Sequence, residues 1–188
     1  AGSLQIEDYY RTDLHWRQDR LLPAAKTLAQ AMGASVEEAF ETQTLARDYY
    51  GLYYGYAALP VKPETISYLT SDTIESAVVT NFETNRTGAV YDMEKAAGKN
   101  PYEMFLSGSV SLLTIENPNA KTDRELVIFR DSFASSLAPL LLDGYAKITL
   151  VDIRYLPSVR LGSFLTFTDQ DVLFLYSVNV LNNSETIK

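Results

Sequence analysis

The 188-residue sequence has no cysteine and only one histidine, His15. The lack of cysteine excludes disulfides, thiolate zinc sites and a cysteine nucleophile. With one histidine, a metal site would have to be built from carboxylates, and the sequence has neither an EF-hand-like loop nor an HExxH spacing. No glycine-rich phosphate loop follows any candidate strand. We therefore expect the protein to use no metal and no other cofactor.

Basic residues are scarce as well, with 16 Lys and Arg against 24 Asp and Glu and a net charge of −8. Nucleic acids and anionic membrane surfaces bind through clustered Lys and Arg, so neither is an expected partner. No apolar run approaches the roughly 18 residues of a transmembrane helix, and the first residues lack the basic and apolar regions of a signal peptide. We expect no direct membrane insertion, and either a cytoplasmic chain or one whose leader has been removed.

A length of 188 residues, with 46% hydrophobic and 21% charged residues, predicts a single globular domain over residues 1–188. In the C-terminal half, short apolar runs alternate with segments of helical periodicity. The predicted order is strand 126–130, helix 133–143, strand 148–153, helix 158–165 and strand 172–176. This βαβαβ order predicts the α/β class with a parallel sheet and right-handed crossovers.

The N-terminal half is less regular. The spacing of apolar residues predicts a helix over 21–32 that ends at Gly33, and a small antiparallel hairpin begins near residue 77 and turns at 85–88. Between them, residues 48–56 contain five tyrosines and are followed by two prolines, which predicts a long irregular excursion. Clustered tyrosines either stack on sugar rings or fill the small core of such a loop, and the sequence leaves both interpretations open.

Ser132 lies where the buried strand 126–130 passes into a helix. The backbone N–H groups at a helix start can stabilise negative charge, and a serine at a sharp strand-to-helix turn has the placement of an acyl-transfer nucleophile. The alternative is that Ser132 only caps the helix, which is a common role for serine.

Asp13 and His15 stand two residues apart, ahead of the first helix. In extended backbone this spacing places both side chains on the same side. An aspartate that holds one ring nitrogen of a histidine leaves the other nitrogen free as a base. The same pattern also occurs as an ordinary surface pair or a local cap, so it predicts a catalytic pair only in combination with a nucleophile.

Polar residues also follow the two later strands of the predicted sheet. Arg154 and Tyr155 come after strand 148–153, while Ser177 and Asn179 come after strand 172–176. The carboxyl ends of parallel strands meet at one edge, where α/β proteins bind ligands. We therefore expect these residues to lie beside Ser132. Arg154 has a second interpretation, an ion pair with Asp152.

Two distant segments resemble the DHHW family of bacterial proteins: residues 9–16, Tyr-Tyr-Arg-Thr-Asp-Leu-His-Trp, and residues 130–135, Arg-Asp-Ser-Phe-Ala-Ser. Further matching segments lie at 48–51, 100–106, 151–155 and 171–176. That family is similar to the SGNH hydrolase-like proteins that add acetyl groups to exopolysaccharides such as alginate. The resemblance implies a three-layer α/β/α sandwich with a parallel SGNH-hydrolase-like core, a small antiparallel hairpin excursion and a circularly permuted triad order.

Carried over by position, the resemblance makes Asp13 the orienting carboxylate, His15 the base and Ser132 the nucleophile. It places Arg154 and Asn179 where SGNH relatives have oxyanion-hole donors, and Tyr155 and Tyr50 are the candidate substrate-binding residues. The sequence departs from the family name at position 14, where leucine replaces the first histidine; the histidine before Trp16 is kept.

The function implied is a serine-dependent O-acyl (acetyl) transferase or esterase on cell-surface or exopolysaccharide carbohydrate. The expected partners are a carbohydrate or acetylated glycan and a membrane acyl-donor protein, in the periplasm or at the cell surface. Family members carry longer N-terminal portions with a leader or anchor, so the chain has the features of an N-terminally truncated fragment. The alternative is a non-catalytic carbohydrate-binding or assembly module that retains the fold.

Overall fold

The computed structural model describes residues 4–37, 39–57 and 60–187. In that part of the chain the strands form one sheet of six strands and one of two. The strands are β1 (Glu41–Thr44), β2 (Ser67–Thr70), β3 (Val78–Asn81), β4 (Arg86–Gly88), β5 (Leu112–Glu116), β6 (Glu125–Arg130), β7 (Lys147–Val151) and β8 (Asp171–Leu175). The α-helices are α1 (Leu22–Met32), α2 (Leu52–Ala57), α3 (Asp72–Ser76), α4 (Met93–Ala96), α5 (Ala134–Leu137) and α6 (Val178–Asn182).

The large sheet has the strand order β4-β3-β5-β7-β6-β8. Strands β7, β6 and β8 pair in parallel, whereas β4, β3, β5 and β7 pair antiparallel. The predicted α/β class is confirmed, but the sheet is mixed and not parallel throughout. The short turn between β3 and β4 permits only antiparallel pairing, and β3 adds to the sheet through β5.

Strand β6 is buried on both faces of the sheet. Leu126 and Ile128 point into the main apolar cluster, where they meet α1 and the segment after Ser132, while Val127 and Phe129 point into a smaller cluster on the opposite face. Burial on both faces explains the continuous apolar run of this strand. It also fixes the position of the carboxyl end of β6, where Ser132 follows.

The two helices predicted in the C-terminal half are present, but they are largely 3-10 helices and not α-helices. The helix predicted over 133–143 begins as α5 and continues as a 3-10 helix, Ala138–Gly144, and the one predicted over 158–165 is a 3-10 helix, Ser158–Ser163. Pro139 lacks the N–H that an α-helix needs at that place, which explains the first change. Helix α1 follows the prediction and ends at Gly33 with φ 65°, a left-handed C-cap.

The predicted excursion between α1 and β3 contains a two-stranded antiparallel sheet, β1 with β2, and the short helices α2 and α3. Of its clustered tyrosines, Tyr49 is buried against Tyr10, whereas Tyr50, Tyr53 and Tyr54 remain substantially exposed. The cluster therefore fills a core through one ring only. Within residues 4–37, 39–57 and 60–187, no helix has the length and apolar character needed to cross a membrane.

Candidate active site

Asp13, His15 and Ser132 form one hydrogen-bonded chain. His15 Nδ1 lies 2.5 Å from Asp13 Oδ1, and His15 Nε2 lies 2.8 Å from Ser132 Oγ. Because a carboxylate can only accept, Nδ1 carries the proton and Nε2 is free to accept the proton of the Ser132 hydroxyl. Residues 117 positions apart in sequence thus meet in the geometry of a nucleophile, a base and an orienting group.

Ser132 is presented at the end of β6 by its neighbour Asp131. The buried carboxylate of Asp131 accepts hydrogen bonds from the N–H of Phe133 at 3.0 Å and from the N–H of Ser177 at 2.7 Å. These bonds tie the strand-to-helix turn to the end of β8. The first turn of α5 has no side-chain cap, and in the described chain the bonding partner of Ser132 Oγ is His15. The hydroxyl is therefore oriented toward the base and does not cap the helix.

Asp13 is buried and receives three hydrogen bonds. Its donors are the His15 ring, the backbone N–H of His15 at 2.9 Å and the backbone N–H of Leu52 at 2.9 Å. Burial alone would raise the pKa of Asp13, but these donors outweigh it and lower the pKa to about 2. Asp13 is consequently ionised at neutral pH and keeps Nδ1 of His15 protonated.

The His15 ring is fixed by aromatic neighbours. It stacks on Tyr102 with ring centroids 4.2 Å apart and packs against Phe133 at 5.1 Å. The buried hydroxyl of Ser136 accepts hydrogen bonds from Trp16 Nε1 at 2.7 Å and from the Tyr102 hydroxyl at 2.9 Å. Trp16 and Tyr102 are therefore both anchored to the Ser136 hydroxyl. Because the His15 ring stacks on Tyr102, this limits the movement of the histidine ring.

A small cavity of about 110 Å³ opens on His15 and Ser132. The other residues that line it include Tyr102, Phe105, Gly108, Ser109 and Ser135. The backbone N–H groups of Ser132 and Ser109 donate to no acceptor in the described part of the chain. Two uncommitted N–H donors beside a nucleophile are the kind of group that stabilises an oxyanion.

Sequence reasoning missed the segment at Gly108 and Ser109 and the residue that supports it. Arg130 is fully buried, and its guanidinium donates to the carbonyl of Val110 at 2.8 Å, to Ser135 Oγ at 2.7 Å and weakly to the carbonyl of Gly108. Burial lowers the pKa of Arg130 to about 10, so the group stays cationic at neutral pH. A charged residue directly after the apolar run 126–129 was the available signal.

Three other predicted site residues, Arg154, Tyr155 and Tyr50, have contacts that do not involve the triad. The Arg154 guanidinium donates to both carboxylate oxygens of buried Asp152, at 2.9 and 2.6 Å, and lies 5.3 Å from the Tyr155 ring centre. Tyr155 is 56% exposed. Tyr50 packs against Tyr54 at the surface with the two rings tilted by 44°, and the hydrogen bonds and ring contacts of these residues do not include Ser132 or His15.

Asn179 lies on α6 and lines a second cavity of about 360 Å³. The walls of this cavity are mainly aromatic and apolar, from Tyr9, Trp16, Tyr53 and Phe133. Ser177, the other polar residue predicted at the sheet edge, lines the same cavity and is held by Asp131. The cavity adjoins the triad through Phe133, the residue that follows Ser132.

No protein-family model matches the sequence, and no curated protein matches it. Its fold, however, is similar to that of a solved structure from Eubacterium siraeum, with a TM-score of 0.69 and 26% identity. That structure is of a DHHW family protein. The resemblance predicted from residues 9–16 and 130–135 is therefore confirmed. The similarity covers 96% of this chain and 63% of the DHHW family protein, so the chain spans less than two thirds of that relative.

The DHHW-like fold is also similar to Bacillus cereus PatB1. One PatB1 structure, with a sulfonyl adduct, has a TM-score of 0.67 and 19% identity, and covers 93% of this chain and 62% of PatB1. A second PatB1 structure has a TM-score of 0.65 and 18% identity, and covers 93% of this chain and 64% of PatB1. At these identities the likeness concerns the fold.

Proposed function

We propose that the protein is a serine-dependent O-acyl transferase or esterase that acts on acetylated carbohydrate. The observation that supports this most strongly is the hydrogen-bonded chain from Asp13 through His15 to Ser132. The fold likeness to PatB1, one structure of which carries a sulfonyl adduct, is consistent with this proposal. An SGNH-like site in which the triad residues occur in the order Asp, His, Ser is part of this proposal.

In the proposed first half-reaction, His15 Nε2 takes the proton of Ser132 Oγ while Oγ attacks the carbonyl carbon of an acetyl ester. The carbonyl oxygen becomes an oxyanion, to which the N–H groups of Ser132 and Ser109 donate. His15 then gives its proton to the leaving alcohol, and the acetyl group remains on Ser132. A cavity of about 110 Å³ has room for a short acyl group of this kind.

In the second half-reaction a hydroxyl attacks the acetyl carbon on Ser132, with His15 again as the base. A sugar hydroxyl gives transfer and water gives hydrolysis. An extracytoplasmic location and a membrane acyl-donor protein belong to the proposal through the family resemblance alone.

The test of this function uses two reagents that report on the same serine. Phenylmethanesulfonyl fluoride should sulfonylate Ser132 with loss of fluoride, and p-nitrophenyl acetate should release p-nitrophenol. Intact-mass and peptide mass spectrometry locate the adduct, and absorbance measures turnover. We expect Ser132→Ala to lose both the adduct and the turnover while it stays folded, since its hydroxyl caps no helix.

The exposed Ser158→Ala variant is the matched control and should behave as wild type. Turnover by Ser132→Ala at the wild-type rate would show that Ser132 is not the nucleophile. Wild-type protein that forms no adduct and releases no p-nitrophenol would favour the non-catalytic carbohydrate-binding module.

A further inference from the structure

A groove of about 700 Å³ runs beside the triad cavity. Its walls come from the β3–β4 hairpin, from the start of α4 and from residues 107–110. Ser109 lines both the groove and the small cavity that contains Ser132 and His15. The groove therefore borders the candidate active site at Ser109.

The wall between the groove and the cavity has an unusual backbone. Leu106, Ser107 and Gly108 follow one another with φ of 53°, 59° and 81°. Non-glycine residues rarely adopt these φ angles and keep them only where the surrounding structure holds them. Here the Ser107 hydroxyl donates to Asp92 at 2.7 Å, and Arg130 holds the carbonyl of Val110. Segment 106–110 is thus held by Asp92 on the groove side and by the buried Arg130 on the core side.

The groove is lined by three carboxylates and two cations: Glu83, Asp92 and Glu94, and Arg86 and Lys95. The carboxylate of Glu83 accepts the N–H of Ser111 at 2.8 Å, and Asp92 accepts backbone N–H groups of α4 besides the Ser107 hydroxyl. The side chains of Arg86 and Glu94, one cation and one anion, are exposed and have no hydrogen-bond or ion-pair partner in the described part of the chain.

Threonine hydroxyls at positions 84 and 87 also line the groove, and neither side chain has a bonding partner in the described residues. Such a lining offers many donors and acceptors, and its three carboxylates and two cations leave a formal charge of only −1. It does not suit a polyanion, which requires clustered basic groups. It suits a chain that carries many hydroxyl groups and little charge.

We propose that this groove binds the acceptor, a neutral oligosaccharide segment, and delivers one of its hydroxyl groups past Ser109 to the acetyl group on Ser132. This inference rests on the proposed function. In the transfer step the acceptor oxygen bonds to the acetyl carbon and its proton passes to His15 Nε2. The bond from the acetyl carbon to Ser132 Oγ then breaks, and Oγ takes the proton back.

Binding is measured first, on the Ser132→Ala protein, so that the result does not depend on turnover. Cellotetraose is the neutral probe, titrated by NMR or calorimetry, and glucose is the short comparison. We expect the tetrasaccharide to bind at least tenfold more tightly than glucose. Arg86→Ala, which removes a donor, and Thr87→Trp, which fills the groove, should each abolish that preference.

Arg160→Ala is the matched control, because Arg160 is an exposed arginine that does not line the groove. Transfer is then followed with p-nitrophenyl acetate as donor. The groove variants should keep ester hydrolysis and lose acetylation of cellotetraose. Equal binding of the tetrasaccharide and glucose, or groove variants that keep the preference, would overturn the groove assignment. A wild-type protein that does not hydrolyse p-nitrophenyl acetate would instead overturn the proposed function.

Discussion

Among the three residues of the triad, Asp13 has a lowered pKa, and this affects the stability of the fold. Its pKa is 3.8 in the absence of interactions and about 2 in the fold. As the pH falls, Asp13 is therefore protonated at a higher pH in the unfolded chain than in the folded chain. The resulting stabilisation, about 2 kcal/mol, is complete above about pH 4 and disappears as the pH falls through 2.

Asp13→Asn should remove this pH dependence together with the ionic contact to His15. We expect the difference in unfolding free energy between wild type and Asp13→Asn to be largest at pH 5 and to shrink steadily toward pH 2.5. Urea unfolding at four pH values measures it. The exposed Asp123→Asn is the control and should track wild type throughout. A difference that stays constant over this range would contradict the assigned hydrogen bonds.

Arg154 has two interpretations that one variant separates. Both Nε and one terminal nitrogen donate to Asp152, which is fully buried, so the geometry favours a structural ion pair. Arg154→Met would leave that carboxylate without its cation. We expect the free energy of unfolding to fall by about 3 kcal/mol with kcat for p-nitrophenyl acetate nearly unchanged.

Adding Asp152→Asn to Arg154→Met should recover part of the lost stability, because the unpaired charge is then gone. A fall in kcat of about 10²–10³ with an unchanged thermal midpoint would instead support the oxyanion role that the sequence suggested for Arg154.

At the scale of elements, the loop that carries Asp13 is fitted against the start of α2. Gly51 is the point of closest approach, since a Cβ there would lie 2.4 Å from both Asp13 Cβ and the carbonyl oxygen of Thr12. The N–H of Gly51 donates to Thr12 Oγ1, and the next N–H, of Leu52, donates to Asp13. Only a residue without a side chain permits both contacts.

Gly51→Ala should therefore displace the Asp13 loop. We expect a loss of about 1–3 kcal/mol in unfolding free energy, as in other overpacked sites, and a larger fall in esterase activity. Gly55→Ala is a matched control within α2, because a Cβ there meets nothing within 4 Å. That control should be neutral or stabilise the protein by up to about 1 kcal/mol through helix propensity. Equal effects of the two variants would show that the close approach is unimportant.

At the scale of the whole molecule, much of the fold followed from local patterns in the sequence. The apolar run of β6, the alternation that follows it and the C-cap at Gly33 each depend on neighbours a few residues away, so periodicity revealed them. The antiparallel pairing of β3 with β5 did not follow, because the addition of strands at the far side of a sheet depends on which edges remain free. Short 3-10 turns likewise replaced longer helices where proline and tight packing intervened.

The chemical groups of the site can be read from the sequence alone: one histidine, an aspartate two residues before it, a serine at a strand-to-helix turn, and no cysteine. That these groups meet is a result of the folded structure, because hydrogen bonds across 117 residues depend on how β6, the N-terminal loop and their shared core pack together. The folded structure also decided that Arg154 pairs with Asp152, and that Ser109 stands between a groove and the triad cavity. Contacts of this kind join side chains that are far apart in sequence, whereas the periodicity of a sequence reflects only residues that are close together.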